Sequence, residues 1–382
     1  MEGTGPMRKI TTVYRFKDYD IFLILCVLAL SGAGVLLIGS AGPSYQYRQL
    51  AGVMLGLLVM GAVSIVDYRI LIGHGWSCYA AALVLLFGVS VVGAISGGAA
   101  RWIEIGPLRF QPSEMSKILL IVFFARLFHD FQDKMDRAVY VFFFVGVLLP
   151  PAALILEQPD LSTAVILVWI FLCMLFMAGL GYGIIGRALL LGIPLGGAGL
   201  FLVTRPGQTL INDYQYRRIM AWLSPQEWAQ DSYQQRNSVM AIGSGGLWGK
   251  GLGNDSPLSV KNGNFLPEPH TDFIMAVAGE ELGFWGCLMI LLLLALIVEE
   301  CIRIGLKTKD LSGRLICIGM AALIAGQSFV NLSVVTGLLP NTGLTLPFVS
   351  YGLTSLVSLY LGLGLVLNVG LQRSPFLPIP PR

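Results

Sequence analysis

The sequence predicts an all-α integral membrane protein with ten transmembrane helices and a large extracytoplasmic loop between helices seven and eight. Of its 382 residues, 55% are hydrophobic and only 12% are charged, whereas soluble domains carry about 25% charged residues. The mean hydropathy is +0.74. Apolar runs that approach the length of about 20 residues needed to cross a bilayer recur along the chain.

Taken in order, these runs predict helices at about 20–41, 49–66, 76–96, 114–129, 139–156, 161–178, 184–203, 272–300, 314–338 and 348–371. The chain is then one polytopic domain over residues 1–382, with tails of about 1–19 and about 372–382 and an outer loop of about 204–271. Within that loop, residues 213–228 form a predicted amphipathic surface helix. Residues 232–253 follow as a predicted short helix that ends in a glycine-rich turn.

Lysine and arginine predict the orientation, because they concentrate in cytoplasmic loops. With the N-terminus inside, cytoplasmic segments carry fifteen of the 25 basic residues, and short outer loops carry three. Both termini are therefore predicted to lie in the cytoplasm of a bacterium, with the protein in its inner membrane. The unusual polar segments, at 97–117, 157–163, 204–271 and 337–352, then all fall on the outer side.

Charge and cysteine usage exclude several classes of protein. A net charge of +3 is too small to predict a nucleic-acid partner, whereas membrane lipids are an expected partner of so apolar a chain. The six cysteines lie singly in or beside apolar runs, without CxxC spacing. They indicate neither a disulfide framework nor a metal site.

One candidate site lies at 264–281, where the sequence NFLPEPHTDFIMAVAGEE joins a polar loop to an apolar helix. Thr271 is a predicted helix cap, and Asp272 then falls in the first turn, where the helix dipole favours a carboxylate. Glu268 and His270 are presented beside it. Asp272 is the candidate general base, and the alternative is a capped helix with an anionic first turn.

A cationic set is the second candidate. Arg101, Arg109 and Lys117 could bind phosphate at the outer headgroup level, arginine through its fork and lysine as a point charge. Glu114 and Lys117 lie three residues apart on one helix face and can pair. The alternative role is contact with lipid headgroups.

Further outer residues have two interpretations each. Asp160 could serve chemistry or simply cap helix six. Trp102 is typical of the aromatic belt at a membrane surface, or it contacts the substrate. Arg217 and Arg218 could contact anionic lipid or bind the pyrophosphate of the substrate. Glu280 and Glu281 lie in the predicted eighth helix, where one of them is expected to face a wet cavity or to serve helix packing.

An outward-facing site has no access to ATP, so a synthetic reaction there needs a substrate that carries its own leaving group. A lipid-linked pyrophosphate sugar is such a substrate. Its tail would lie between helices, its pyrophosphate would meet arginine and lysine, and the acceptor hydroxyl would meet a carboxylate.

Six motifs resemble those of the SEDS family, which includes RodA, FtsW and SpoVE. They are RWIxxGxxxFQPSExxK (101–117), PDLSTA (159–164), YRRI (216–219), GSGGLWGKGLG (243–253), FLPEPHTDFI (265–274) with GEELG (279–283), and TGLLPNTGLTLPFVSYG (336–352). The resemblance covers nearly the whole chain. It includes the ten helices and the large loop.

The resemblance implies a peptidoglycan glycosyltransferase that polymerises lipid II on the outer leaflet, together with a class B penicillin-binding protein, in elongation, division or sporulation. It implies that Asp272 deprotonates the 4-hydroxyl of the acceptor N-acetylglucosamine and that undecaprenyl pyrophosphate leaves. It also allows a divalent cation, Mg²⁺ or Mn²⁺, although no ligand cluster in the sequence identifies one.

Carried over position by position, the resemblance assigns further residues. Trp102, Arg109 and Lys117 match functionally important positions, and a second group matches motif positions: Glu114, Asp160, Glu268, His270 and Ser350. The sequence departs from the family at residues 254–264 and at Leu353, which leaves the subfamily open. GKGL and HTD favour the RodA type.

Two other functions stay open at this stage. A lipid II flippase or other transporter would place polar groups near the bilayer midplane on broken helices, whereas here most helix middles are bare. A non-catalytic scaffold for the penicillin-binding protein would tolerate the loss of Asp272. A polar water path through the folded bundle would favour transport.

Overall fold

The structure, a computed structural model, describes residues 19–96, 99–105, 108–135, 137–205, 207–208, 211–254, 256–257, 259, 261–263 and 265–372. Within those ranges the chain forms thirteen α-helices and one small sheet. The helices are α1 (Ile21–Ala41), α2 (Pro43–Ile65), α3 (Tyr68–Gly73), α4 (Gly75–Val92), α5 (Pro112–Asp130), α6 (Ala138–Glu157), α7 (Leu161–Met177), α8 (Tyr182–Val203), α9 (Asp213–Leu223), α10 (Ala229–Gly245), α11 (Ile274–Lys307), α12 (Leu311–Val335) and α13 (Leu353–Leu371). Nearly all of the two predicted tails falls outside the described residues.

Each of the ten predicted apolar ranges contains a helix, and α9 and α10 match the two helices predicted in the loop. Among the described residues, six helices are long and apolar enough to cross a membrane: α1, α2, α6, α11, α12 and α13. The apolar helices α4 and α7 are shorter. The protein is therefore mostly helical and has the character of a multi-pass membrane protein.

The core of the bundle lies around α12 and α13, which bury most of their length. Helix α2 packs closely on α13 because the glycines at their contact have no side chain. A Cβ atom on Gly56 would collide with the ring of Tyr360, and one on Gly364 would lie 2.8 Å from the carbonyl oxygen of Met60. Small residues serve helix packing in membranes in this way, because they let backbones approach.

The all-α prediction missed a three-stranded antiparallel sheet between α4 and α5. Its strands are β1 (Ala94–Ser96), β2 (Ala99–Ile105) and β3 (Leu108–Phe110), in the order β1-β2-β3. Residues 101–105 include an aromatic and two β-branched side chains, Trp102, Ile103 and Ile105, and such residues favour a strand over a loop. Glu104 pairs with Arg109 across β2 and β3, and their side chains form a 3.2 Å ion pair.

The predicted eighth helix is not continuous, because α11 breaks at Gly283, where φ is +65° and ψ is −161°. Residues 274–282 form a half-helix, and residues 284–307 form the longer part. At about 1.5 Å per residue, the 24 residues of that longer part span about 36 Å, enough to cross a hydrocarbon core of about 30 Å alone. Glu280 and Glu281 therefore lie in the half-helix, just before the break.

The glycine-rich segment after α10 satisfies the backbone at this break. The amides of Phe284 and Lys250 donate to the carbonyls of Gly246 and Glu280 at 2.9 and 3.0 Å. Further bonds run from Gly251 to Glu281 and from Trp285 to Leu247. Residues 246–251 and 280–285 are thus joined by main-chain hydrogen bonds, which supply partners for groups that a broken helix would otherwise leave unpaired.

Candidate active site

Asp272 lies in a turn two residues before α11. The predicted Thr271 cap is wrong: the helix begins at Ile274 and has no side-chain cap. Thr271 instead donates from Oγ1 to Oδ1 of Asp272 at 2.7 Å and to the carbonyl of Glu268 at 2.8 Å. Glu268, between the two prolines of the preceding loop, has φ of +52°, and residues 269–273 form turns, so the helix starts later than the sequence predicts.

The second carboxylate oxygen of Asp272 faces two arginines across Gly343. A Cβ atom on Gly343 would lie 3.7 Å from Oδ2 of Asp272, 3.6 Å from Nη1 of Arg218 and 4.0 Å from Nη1 of Arg101. Gly343 has φ of +74°, a conformation that residues with a Cβ rarely adopt. A carboxylate and two guanidinium groups therefore converge on a point that a glycine keeps open.

Arg218 is held at this point from α9. Its Nη1 donates to the carbonyl of Asn341 at 3.1 Å, and its guanidinium lies 4.4 Å from the ring centre of Tyr214. Burial lowers the pKa of Arg218, and Tyr214 and Asp272 oppose that shift. Arginine stays protonated in proteins, so the site keeps this positive charge.

Arg101 reaches the same point from β2. Its guanidinium donates to the carbonyls of Gln158 and Pro159 and lies 4.0 Å from Oδ1 of Asp160. Asp160 is buried and also caps α7, since it accepts from the amide and hydroxyl of Thr163 at 3.2 and 2.9 Å. Asp160 thus serves as a helix cap and also as a neighbour of Arg101.

Glu114 and Lys117 form a buried ion pair. The Lys117 ammonium lies 2.7 Å from Oε1 of Glu114, and only 1% of the lysine side chain is exposed. It also donates to Oε1 of Gln327 on α12 at 3.2 Å. Lys117 has no open path to an anion in this arrangement.

The remaining cationic candidates lie at the surface. The Arg109 side chain is 61% exposed and pairs with Glu104. Arg217 is exposed on α9, and Trp102 is partly exposed on β2. These residues do not join the point at Gly343 in the contacts that the described residues make.

His270 lies in an aromatic cluster. Its ring stacks on Tyr45 at 4.1 Å between centroids and meets Tyr351 edge-on. Burial lowers the pKa of His270, against the opposing charges of Glu268 and Asp272. The ring is therefore neutral near pH 7 and packs as an aromatic group, while the Glu268 side chain is exposed.

Ser350 is buried in the turn before α13. Its hydroxyl accepts from the amide of Leu346 at 2.8 Å, and its carbonyl accepts from Nε2 of Gln49 at 3.3 Å. These bonds fix the turn that follows the 337–352 loop.

Glu280 and Glu281 each pair with a lysine of the segment between α10 and α11. Oε1 of Glu280 lies 2.7 Å from Nζ of Lys250. Oε1 of Glu281 lies 2.8 Å from Nζ of Lys261 and accepts from the Ser40 hydroxyl at 2.6 Å. Both carboxylates are buried, so they tie the half-helix to the loop and to α1.

Residues 16–374 match the family model described as "Cell cycle protein", FTSW_RODA_SPOVE. The chain is a member of the FtsW/RodA/SpoVE family. Membership agrees with the resemblance that the six motifs indicate.

Relatives of three kinds align along almost the whole chain. A Geobacter sp. (strain M18) protein named "Probable peptidoglycan glycosyltransferase FtsW" is 34% identical, over 93% of this chain and 97% of that protein. "Stage V sporulation protein E" of Bacillus subtilis (strain 168) is 34% identical, over 92% and 96%. "Peptidoglycan glycosyltransferase MrdB" of Escherichia coli (strain K12) is 35% identical, over 93% and 94%. Because these identities are nearly equal, the RodA type stays a prediction.

Solved structures of this family share the fold. A chain from a structure described as "Structural coordination of polymerization and crosslinking by a peptidoglycan synthase complex" has a TM-score of 0.76 at 33% identity, over 93% of this chain and 98% of that one. Thermus thermophilus rod shape determining protein RodA has a TM-score of 0.69 at 32% identity, over 94% and 98%.

For this family member, the structure brings Asp272, Arg101 and Arg218 together, with Asp160 behind Arg101. It leaves the other predicted residues at the surface or in packing roles. Sequence reasoning missed Gly343 as the open point between them, and it missed Asn331, whose side-chain amide donates to the carbonyl of Asp272 at 2.8 Å. Asn331 showed only as a polar residue in an apolar helix, and nothing set Gly343 apart from the other glycines of the polar 337–352 segment.

A divalent-cation site does not fit these residues. Among the described residues, no three His, Cys, Asp or Glu side chains come together as metal ligands. Two guanidinium groups beside the Asp272 carboxylate favour an anion at that point, because a third positive charge would be repelled.

Proposed function

We propose that this chain polymerises lipid II into glycan strands, with Asp272 as the general base. The observation that carries the proposal is the convergence of the Asp272 carboxylate with Arg101 and Arg218 around Gly343. Relatives that span the chain are named peptidoglycan glycosyltransferases. Glycosyl transfer needs a base at the acceptor and positive charge at the leaving group, and this point supplies both.

In the proposed reaction, Oδ2 of Asp272 takes the proton of the acceptor 4-hydroxyl. The hydroxyl oxygen bonds to the anomeric carbon of the donor, and the bond from that carbon to the pyrophosphate oxygen breaks. Its electron pair leaves with undecaprenyl pyrophosphate. Arg101 and Arg218 bind this anion through their planar forks, so they stabilise the charge that develops.

The exposed members of the predicted set are proposed to contact the rest of the substrate. Trp102, Arg109, Arg217 and Glu268 border the outer face, where a sugar, a peptide or a lipid headgroup would lie. His270 and Ser350 hold the chain around the site through packing and turn contacts.

The proposal includes a topology of ten spans in the cytoplasmic membrane, with both termini inside and Asp272 outside. It is supported by the helix in each predicted range and by the distribution of basic residues. A membrane-impermeant maleimide should label Arg217→Cys, and not Arg187→Cys, in intact cells of a strain whose own accessible cysteines are blocked. The reverse labelling would invert the topology.

A class B penicillin-binding protein is the proposed partner, since one structural relative belongs to a complex described as coordinating polymerization and crosslinking. The test of function is polymerisation of purified lipid II by the protein with that partner, comparing wild type with Asp272→Asn. We expect the variant to lose about 10²- to 10⁴-fold in rate, the range of general-base contributions.

Asp231→Asn is the matched control, because Asp231 lies exposed on α10 of the same outer loop. It should polymerise like wild type. Equal polymer from wild type and Asp272→Asn would remove Asp272 as the base and direct the search to Asp160 or Glu268.

Transport is the second candidate, favoured by one observation: α11 is broken at Gly283, and transporters place their sites at broken helices. The carboxylates beside this break are paired with Lys250 and Lys261. Passage of fluorescent lipid II across vesicles that contain the protein, with no polymer under any condition, would favour transport over polymerisation.

A further inference from the structure

Four buried polar side chains connect the membrane interior to the site. Glu114, Lys117, Gln327 and Asn331 expose between 0% and 4% of their surface. Burying a charge or an amide in an apolar region is costly unless each group finds a partner. We call these four residues with Thr345 the buried network, and its connections indicate what it does.

The network begins at the ion pair and passes through an amide. Lys117 donates to Glu114 at 2.7 Å and to Oε1 of Gln327 at 3.2 Å. Nε2 of Gln327 donates to the carbonyl and hydroxyl of Thr345 at 3.1 and 3.2 Å. A glutamine is suited to this place because its amide both accepts and donates.

Asn331 extends the network to the catalytic residue. It lies four residues after Gln327, on the same face of α12. Its Nδ2 donates to the carbonyl of Asp272 at 2.8 Å and to that of Leu344 at 2.6 Å. Leu344 and Thr345 follow Gly343 directly, so the network fixes both the main chain of Asp272 and the segment that carries the open glycine.

We propose that Gln327 and Asn331 are positioning residues for the glycosyl transfer, and that the Glu114–Lys117 pair acts through them; this inference rests on the proposed function. Lys117 then stabilises the site through its hydrogen bond to Gln327 and does not bind pyrophosphate. Each bond in the series holds the next group, so the distance between Asp272 and the arginines depends on the buried network.

Two variants separate positioning from simple stability. Gln327→Glu keeps the acceptor for Lys117 and loses the donors to Thr345. Asn331→Leu keeps the size and loses both donors. We expect kcat to fall about 10- to 100-fold in each, because misplacement by about 1 Å can cost that much. The KM for lipid II should stay within about twofold, since no substrate contact is removed.

Asn368→Leu is the matched control. Asn368 is equally buried on α13 and bonds two backbone groups, the amide of Tyr68 and the carbonyl of Ser64, at 2.9 and 2.8 Å. It lies at the other end of the bundle. We expect it to lower the unfolding temperature as much as Asn331→Leu does, with kcat within about threefold of wild type.

A double-mutant cycle tests whether the pair acts through Gln327. Glu114→Gln with Lys117→Met removes both charges together, and Gln327→Met removes the amide. Residues in one series give a combined loss close to the larger single loss. Additive losses in kcat would show two independent routes and overturn the inference.

Outcomes for the inference and for the proposed function are distinct. Absence of polymer from wild type contradicts the proposed function. Polymer from wild type, with kcat of Gln327→Glu equal to that of Asn368→Leu, contradicts the positioning role alone. If Asn331→Leu does not fold, the kcat of Gln327→Glu and the double-mutant cycle decide whether the positioning role holds.

Discussion

Asp272 and Asp310 both precede a helix, and their carboxylates make different contacts. Oδ2 of Asp310 accepts from the amide of Gly313 at 3.0 Å and from the Tyr68 hydroxyl at 2.8 Å, so it caps α12 and ties it to α3. Asp272 caps nothing. One of its oxygens binds Thr271, and the other faces Arg101 and Arg218.

Three other aspartates cap a helix as Asp310 does. Asp20, Asp67 and Asp160 accept from amides of α1, α3 and α7 at 3.1, 2.9 and 3.2 Å. An aspartate before a helix is an N-cap by preference. The exception at Asp272 therefore marks a carboxylate whose acceptor capacity is available for chemistry.

After that of Asp272→Asn, the largest effect should come from the two arginines beside Asp272. Arg101→Lys and Arg218→Lys keep the charge and lose the planar fork. We expect each to lower kcat/KM for lipid II about 10²-fold, the scale of removing one preorganised donor. Rates of polymerisation at several lipid II concentrations measure this.

Arg236→Lys provides the control, because Arg236 is exposed on α10. It should behave as wild type. If Arg218→Lys also does, the difference between Asp272 and Asp310 does not depend on the planar fork of that guanidinium.

A smaller effect is expected from closing the open point. Gly343→Ala places a Cβ between Asp272, Arg218 and Arg101 and forces a residue with a side chain into a left-handed conformation, at a cost of about 1–2 kcal/mol. We expect polymerisation to fall about tenfold. Gly207→Ala has the same strain, with φ of +77° and no atom within 4 Å of the added Cβ, so it should lose stability only.

Replacement of Asp310 should lower the stability of the protein without changing its rate of polymerisation. Asp310→Ala removes the cap of α12 and should lower the free energy of unfolding by about 0.5–2 kcal/mol. Thermal unfolding in detergent measures it, with polymerisation at low temperature expected at the wild-type rate. An Asp310→Ala protein that folds normally and makes no polymer would contradict a purely structural role for Asp310.

The smallest effect concerns pH. Burial lowers the pKa of His270 below its usual value of 6.5, so between the two values the unfolded chain binds more protons than the folded one. Stability is then complete above about pH 6.5 and is lost as the pH falls. His270→Phe keeps the stacking on Tyr45 and should reduce the fall in unfolding temperature between about pH 7.5 and about pH 5.5. An unchanged fall would assign the acid sensitivity to other groups.

Much of the fold could be predicted because apolar length is a local property. Each predicted range contains a helix, and so do the two loop segments. The break in α11 could not be predicted, since glycine occurs in many membrane helices. The break depends on residues 246–251, which reach Gly283 only in the folded chain.

The candidate site was predicted in part. Asp272, Arg101 and Arg218 stood out as polar residues at an apolar boundary or in shared motifs. The burial of Lys117 could not be seen, because its second partner, Gln327, lies 210 residues away. Asn331 shares this difficulty, being 59 residues from Asp272.

The join between residues 246–251 and 280–285 has a consequence for how this protein can vary. Main-chain hydrogen bonds do not distinguish one side chain from another, so exposed positions of the join such as Leu247 and Trp248 should accept many residues. The glycines are different: a methyl group on Gly249 or Gly283, or on Gly245 just before the join, would strike the facing backbone. A saturation library of residues 245–251 and 280–285 should therefore show the least tolerance at these three glycines and at the ion-paired Lys250, Glu280 and Glu281, so the sequence of the join can vary only where its spacing and its ion pairs are kept.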